Sequence, residues 1–246
     1  MSGTLCRSRH GIWRSRVENP LGMTTPRAEI LSNIRRSLGV NGAEPMRRAA
    51  VDDRLERAPR GVIPARGQLD AAGRVALFKA QAEGALATVA TISDPGGIPQ
   101  EIARYLRDNN LPATIRIGTD PRLAGLPWGD TTLDVSHGPS TGNDLNAVSH
   151  AFGGVAETGT LALTSGAENP STLNFLPDNH IVVLSAKDIS GDYEGVWQKL
   201  RVAYGKGTMP RTLNYITGPS RSGDIEQTML LGAHGPRRLH IVLVEM

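Results

Sequence analysis

Ile181-Val182-Val183-Leu184-Ser185 is the stretch on which the fold turns. Four consecutive apolar residues are far short of the roughly 18 to 20 that a membrane-spanning helix needs, and they lack the polar alternation of a half-exposed strand. Such a run reads as a short strand covered on both faces, the situation of parallel sheets packed between helices. Outward from it the same text recurs. Ala85–Ile92, Thr114–Ile117, Leu213–Thr217 and Leu239–Val244 read as further short strands. Between them lie segments of helical spacing: Glu101–Arg107 aligns Ile102 with Leu106, Glu194–Tyr204 aligns Val196, Leu200 and Ala203, and Asp224–Leu231 carries Ile225, Met229 and Leu230. This interleaving predicts an α/β fold, a mainly parallel sheet flanked by helices. One segment departs from it. Phe152–Glu157 and Thr160–Thr164 flank a Thr158-Gly159 turn and read as paired strands or one bent strand.

The 246 residues, 39% hydrophobic, suffice for one sizeable core and not for two ordinary domains. Near the amino end, Thr25 and Pro26 offer a cap and a first helical residue, Ile30, Leu31, Ile34 and Leu38 repeat at three-to-four spacing, and Gly39 supplies a stop. From Val40 to Gly67 the chain turns to Arg, Ala, Pro and Gly, and is expected to be a linker. The organisation expected is a basic, disordered extension over 1–22, an N-terminal helix and linker over 23–66, and one domain over 67–246. Residues 1–17 carry Arg7, Arg9, Arg14 and Arg16 without an acid, as organelle transit peptides do, but no apolar core of a secretory signal. A start at Met23, leaving 1–22 as an extension, is the expected reading.

Charge and cysteine content narrow the function classes. Residues 1–66 hold 13 Arg and 6 acids, whereas residues 67–246 hold 14 Lys or Arg against 18 acids. The expected domain is mildly acidic and aromatics are 4%, which argues against a nucleic-acid footprint or stacking platform. Cys6 is the one cysteine, so no internal disulfide or thiolate cluster can be built, and a reducing, cytoplasmic setting without membrane insertion is expected. No HExxH or CxxC spacing supports a metal, and His137, His150 and His234 could ligate one only if the fold gathers them. GxGxxG after a strand, GxxxxGK[ST] and GxSxG are absent as well.

Three loops carry candidate chemistry. Gly218-Pro219-Ser220-Arg221-Ser222-Gly223-Asp224-Ile225-Glu226 is read as joining a strand to a helix, where open α/β sheets place ligands. Free amides at a helix start, the hydroxyls of Ser220 and Ser222 and the Arg221 fork suit a phosphate or carboxylate. Equally, Ser222 can cap that helix, Asp224 complement its dipole, and Gly218 shape the turn. In Gly154-Val155-Ala156-Glu157-Thr158-Gly159-Thr160, small residues permit close approach of a ligand and Glu157 can serve as base or nucleophile. The alternative is a scaffold hairpin with an exposed Glu157, its Thr158 and Thr160 chosen for β-propensity. His234, between Gly232 and Gly235, is set in a tight turn, structural or titrating near neutrality.

These stretches together resemble the LUD-domain family, in its lactate-utilization C type. The resemblance is carried by Ala156-Glu157-Thr158-Gly159-Thr160, Leu176-Pro177-Asp178-Asn179-His180-Ile181, Gly218 to Glu226 and Gly232-Ala233-His234-Gly235-Pro236-Arg237, whose order and spacing match the pattern ETGT, LPxxHI, GPSRTADIE and GxHGPR. Ile30 to Gly39 is similar to the family's first helix, so the match spans about residues 24 to 245. Ser222-Gly223 stands where the family usually has Thr-Ala, which keeps a capping hydroxyl. The resemblance implies the NagB/RpiA/CoA transferase-like fold. It implies a non-redox subunit or accessory component of a cytosolic, iron–sulfur-dependent L-lactate oxidation system, with no cofactor in this chain and iron–sulfur lactate-utilization proteins as partners. The ligand-binding residues expected for a small anionic metabolite are Thr158, Gly159, Thr160, Gly218, Ser220, Arg221, Asp224 and His234, with no metal. The competing expectation is a stand-alone enzyme on a small phosphorylated or acyl substrate, with Glu157 as its base or nucleophile.

Overall fold

The computed structural model describes residues 25–225 and 228–245, the side chains of 223–225 and 228–230 excepted. The segment 1–22, Cys6 and Met23 lie outside these residues. The chain divides at Ala58 into two units. In the first, α1 (Pro26–Leu38) forms as its text directs: the Thr25 hydroxyl accepts from the Ala28 amide, and Gly39 closes the helix at φ +63°. The stretch read as a linker holds a second helix, α2 (Pro45–Arg57). Its Pro45 start and its Ala, Arg and Leu content favour helix locally, although neither helix has a buried residue.

The second unit, Pro59–Met246, holds the fold proper. In chain order it comprises α3 (Ala71–Gly84), β1 (Thr88–Ile92), α4 (Ile98–Asp108), β2 (Thr114–Ile117), α5 (Pro121–Ala124), β3 (Asp134–His137), β4 (Asn146–His150), β5 (Gly153–Val155), β6 (Thr160–Thr164), β7 (Asn179–Ser185), β8 (Ile189–Ser190), α6 (Tyr193–Tyr204), β9 (Leu213–Ile216), β10 (Arg221–Ile225), β11 (Thr228–Leu231) and β12 (Arg238–Val244). Six strands, in the order β1-β12-β7-β4-β2-β3, form an all-parallel sheet. The α/β class expected from the apolar runs is thereby met. A second sheet, β8-β5-β6-β9, is mainly antiparallel and contains the hairpin read around Thr158-Gly159. The strand read at Leu213–Thr217 joins this second sheet rather than the parallel one.

Alternation along β7 and β12 sorts the core. Val182, Leu184, Leu239, Ile241 and Leu243 pack with Phe78 and Ala82 of α3 and with Leu161 and Leu163 of β6, filling the space between the sheets. Ile181, Val183, Val242 and Val244 point the other way, onto Ile98, Ile102 and Leu106 of α4. Beyond the second sheet, Val155 and Ala162 meet Val196 and Leu200 of α6. The layers are therefore α4, parallel sheet, second sheet and α6, with α3 wedged beside the two sheets.

One expected helix is overturned. Asp224–Leu231 forms no helix: β10 and β11 make an antiparallel hairpin with Arg221 opposite Leu231, Ser222 opposite Leu230 and Ile225 opposite Thr228. Backbone pairing has prevailed over apolar spacing that fits either period. Phe78, fully buried among residues of both sheets, is the largest single contributor to the inter-sheet core. Phe78→Ala is expected to cost about 3–5 kcal/mol in urea unfolding. A loss below about 1 kcal/mol would contradict this layering.

Candidate functional site

Val155 ends β5, and the next four residues turn the chain into β6. Gly159 sits at φ +65°, where a Cβ would lie 2.3 Å from the Ala82 amide nitrogen of α3. The close approach expected of a ligand at this glycine is made by a helix backbone instead. Gly218 repeats the device, for its Cβ would meet the Ala85 carbonyl at 2.0 Å. Glu157, which a scaffold hairpin would leave exposed, is 4% exposed. Its Oε2 has no hydrogen-bond partner among the described residues, and the Arg66 guanidinium stands 3.8 Å away.

The threonines of this turn join a hydroxyl cluster. Thr160 Oγ1 lies 2.7 Å from Thr158 Oγ1, 2.7 Å from Thr217 Oγ1 and 3.0 Å from the Tyr193 hydroxyl, which is itself 3.1 Å from Thr158. The Thr160–Thr217 bond ties the hairpin turn to the start of the Gly218 loop. That loop is fastened through the backbone to the 232–237 loop, which is in turn bonded to the loop before β7. Ser220 N–H donates to Pro236 O at 2.9 Å, Gly232 N–H to Ser220 O at 2.9 Å and Arg237 N–H to Asp178 O at 2.7 Å.

At this junction, at the amino ends of β7 and β12, lies a cavity of about 220 Å³ bordered by Asn174, His180, Tyr215, Thr217, Gly218 and Ser220, with Phe175, Pro219, Pro236 and Leu239 as apolar wall. Among the described residues no charged side chain lines it. Asn174 and His180 are its buried polar residues. Ser149 Oγ bonds both the Asn174 carboxamide oxygen (3.2 Å) and His180 Nε2 (3.1 Å). Because Asn174 Oδ1 only accepts, Ser149 gives it its one proton, and His180 must donate from Nε2. Nδ1 is then a bare acceptor, and it has no partner among the described residues. Burial drives the ring's pKa down to about 3, so it is neutral near pH 7. Tyr215, edge-on to Tyr193 at 5.2 Å, has its pKa pushed up to about 12 by burial, with Tyr193 and Glu194 adding to it.

Of the residues singled out in the sequence, Gly218 and Ser220 line the cavity, and Thr160 adjoins it through Thr217. Thr158 belongs to the hydroxyl cluster and Gly159 packs on α3. Glu157 is not in the lining. Arg221 and His234 are exposed and outside it, and the Asp224 side chain lies outside the described residues. The anion clamp read at a helix start loses its helix, since the loop leads into the β10–β11 hairpin. Among the described residues no three His, Cys, Asp or Glu form a metal-holding group. His137 and His150 end strands at one edge of the parallel sheet, while His234 lies in the turn before β12, at the other edge. Reasoning from sequence passed over His180, Asn174, Tyr193 and Tyr215. A histidine and an asparagine heading an apolar strand, Asn179-His180-Ile181, was the available signal, because buried polar groups need partners.

The model of the LUD domain family matches residues 147–244, which contain every loop of this junction. An uncharacterized protein of Neisseria meningitidis serogroup B is 34% identical over 91 residues, 37% of this chain and 38% of that protein. Lactate utilization protein C of Geobacillus thermodenitrificans is 28% identical over 167 residues, 61% of this chain and 68% of that protein. The chain thus spans well under half of the first relative and about two thirds of the second. A crystal structure of a DUF162 family protein from Deinococcus radiodurans superposes with a TM-score of 0.51 at 23% identity, over 72% of this chain and 99% of that one, and it shares the fold. Residues 147–244 thus match the LUD domain, and the chain is similar to the lactate utilization proteins C. No helix among the described residues is long and apolar enough to cross a membrane.

The buried histidines set an acid limit on stability. His240, stacked on Tyr105 at 3.9 Å, resembles His180 in that burial lowers its pKa to about 4 from an ordinary 6.5. Between about pH 4 and 6.5 the unfolded chain therefore binds more protons than the folded one, so folding stability rises with pH across this window and is complete above it. Acidification from pH 6.5 to 4.5 is expected to remove about 1.4 kcal/mol per pH unit for each ring. Urea midpoints across that range, with imidazole chemical shifts, provide the check, and a ring titrating above pH 6 in the folded state would contradict it.

Proposed function

We propose that this LUD-domain protein works in lactate utilization as a non-redox component, binding a small metabolite while iron–sulfur partner proteins carry the electrons. One observation carries the reading: three of the stretches that bear the family resemblance contribute His180, Gly218 to Ser220 and Pro236 to one cavity at the amino edge of the parallel sheet, and the fourth, 156–160, adjoins it through the Thr160–Thr217 bond. Among the described residues, a lining without charge, an unpartnered acceptor at His180 and a hydroxyl at Ser220 suit the uncharged part of a metabolite, held by hydrogen bonds and apolar contact. The chain has one cysteine, so the thiolates of an iron–sulfur cluster would come from partners. The names of the relatives support the pathway.

A second reading, a stand-alone enzyme with Glu157 as base or nucleophile, is favoured by the buried Glu157 oxygen, which has no hydrogen-bond partner among the described residues and only the Arg66 guanidinium at 3.8 Å. The two separate experimentally. On the first reading, deletion of this chain in its source organism abolishes growth on L-lactate and spares growth on glucose, and Ser220→Phe, which fills the cavity, fails to restore it at normal protein levels. Unchanged growth on lactate would overturn it. On the second, the isolated chain turns over an acyl or phosphorylated substrate, and Glu157→Gln removes the activity while the fold survives.

A further inference from the structure

The opposite edge of the parallel sheet holds a second cavity, of about 310 Å³, where the carboxyl ends of β4, β7 and β12 meet the start of α4. Open α/β sheets present strand ends and helix amino ends at such an edge, which favours oxyanions. Here α4 starts at Gly97-Ile98, with no side chain capping its first-turn amides. Unlike the cavity of the motif loops, this one is bordered by cations.

Arg122 grips the buried Asp120 through Nε (2.9 Å) and Nη2 (2.6 Å), which leaves Nη1 free of that pair. Asp188, the carboxylate on the rim, is paired with Lys199 at 3.3 Å. Lys187, also on the rim, has no ion pair among the described residues, and it borders an adjoining groove with Lys79 and Glu245. Ser185 is 6% exposed and lines the cavity, and its Oγ has no hydrogen-bond partner among the described residues. His150 Nδ1 lies 2.8 Å from the Ala151 carbonyl, which can only accept, so that nitrogen carries the proton and Nε2 of the neutral ring is an acceptor. Desolvation, with Arg122 nearby, holds its pKa below the ordinary histidine value. Ile98, Val183 and Val244 supply an apolar floor.

We infer that this cavity is a binding site for a small hydroxy-carboxylate, its carboxylate met by Lys187 and the free edge of Arg122, its hydroxyl donating to His150 Nε2, and its alkyl end on the Ile98–Val183–Val244 floor. The Ser185 hydroxyl completes the carboxylate's donors. The cavity shares no lining residue with the one formed by the motif loops, and the inference does not rest on the proposed part in lactate utilization.

Calorimetric titration of the full chain with L-lactate, glycolate and propionate tests it. Both hydroxy acids are expected to bind about tenfold or more tightly than propionate, which lacks the donor for His150. Lys187→Gln is expected to weaken L-lactate about tenfold. Ser185→Ala should weaken it several-fold while leaving the melting temperature unchanged or raised, because it removes an unpaired buried hydroxyl; a purely structural serine would leave affinity untouched. Binding that ignores both substitutions but disappears in Ser220→Phe would place the ligand at the motif loops and overturn the inference. Equal affinity for propionate and lactate, or no binding of either hydroxy acid, would overturn it too. Growth on lactate reports on the pathway and titration on this cavity, so one can fail without the other.

Discussion

The parallel pairing of β7 with β12 is the constraint from which the rest follows. Seven residue pairs, from Asn179 opposite Arg238 to Ser185 opposite Val244, lock two strands that are buried on both faces. A shift of one residue would turn Ile241 and Leu243 away from the inter-sheet core and bring His240 and Val242 into it. The same register fixes both edges of the sheet. At the amino edge it sets Asp178 beside Arg237, so that the loops before the two strands share a backbone hydrogen bond and close around His180 and Leu239. At the carboxyl edge it sets Ser185 beside Val244, in the wall of the second cavity.

What could be read from the sequence was what one residue's neighbours decide. Apolar runs such as Ile181–Ser185 marked strands because burial on both faces leaves no polar alternation. Thr25, Pro26 and Gly39 marked α1 because a cap and a left-handed stop are local devices. α3 was missed, since its alanine-rich text has no sharp apolar stripe and only Phe78 and Ala82 are buried. α2 was missed for the opposite reason: its residues favour helix, but it buries none of them and has no stripe to read. The β10–β11 hairpin was misread because Ile225, Met229 and Leu230 fit a helical repeat, while the pairing that decides the matter is not written in the spacing.

The candidate site was legible in part for the same reason. Gly159 and Gly218 announced positions where a Cβ would not fit, yet only the fold shows that α3 and Ala85 are the obstacles. Thr158 and Thr160, expected as ligand-binding residues with strand formation as the alternative, are half of a hydroxyl cluster completed by Tyr193 and Thr217, 33 and 57 residues from Thr160. His180 stood in the motif that carried the resemblance, but its tautomer is set by Ser149 and Asn174, on other segments. Hydrogen-bond partners across such separations are properties of the sheet order, not of any window of sequence.

Leaving a buried polar atom unpaired costs about 1–3 kcal/mol, a large share of a domain's net stability. His180 Nδ1 and Ser185 Oγ incur that cost at opposite ends of the same strand, one beside each cavity. The surroundings of the two atoms differ in charge. Around His180 no described residue brings a charge to the lining, so an anion there would lose its hydration without a cation among those residues to replace it. Around Ser185, Arg122 and Lys187 supply that replacement. Charge therefore distinguishes the two edges: the described lining at the amino edge, where the motif loops meet, carries none, whereas Arg122, Lys187 and Asp188 border the cavity at the carboxyl edge, where the strands end.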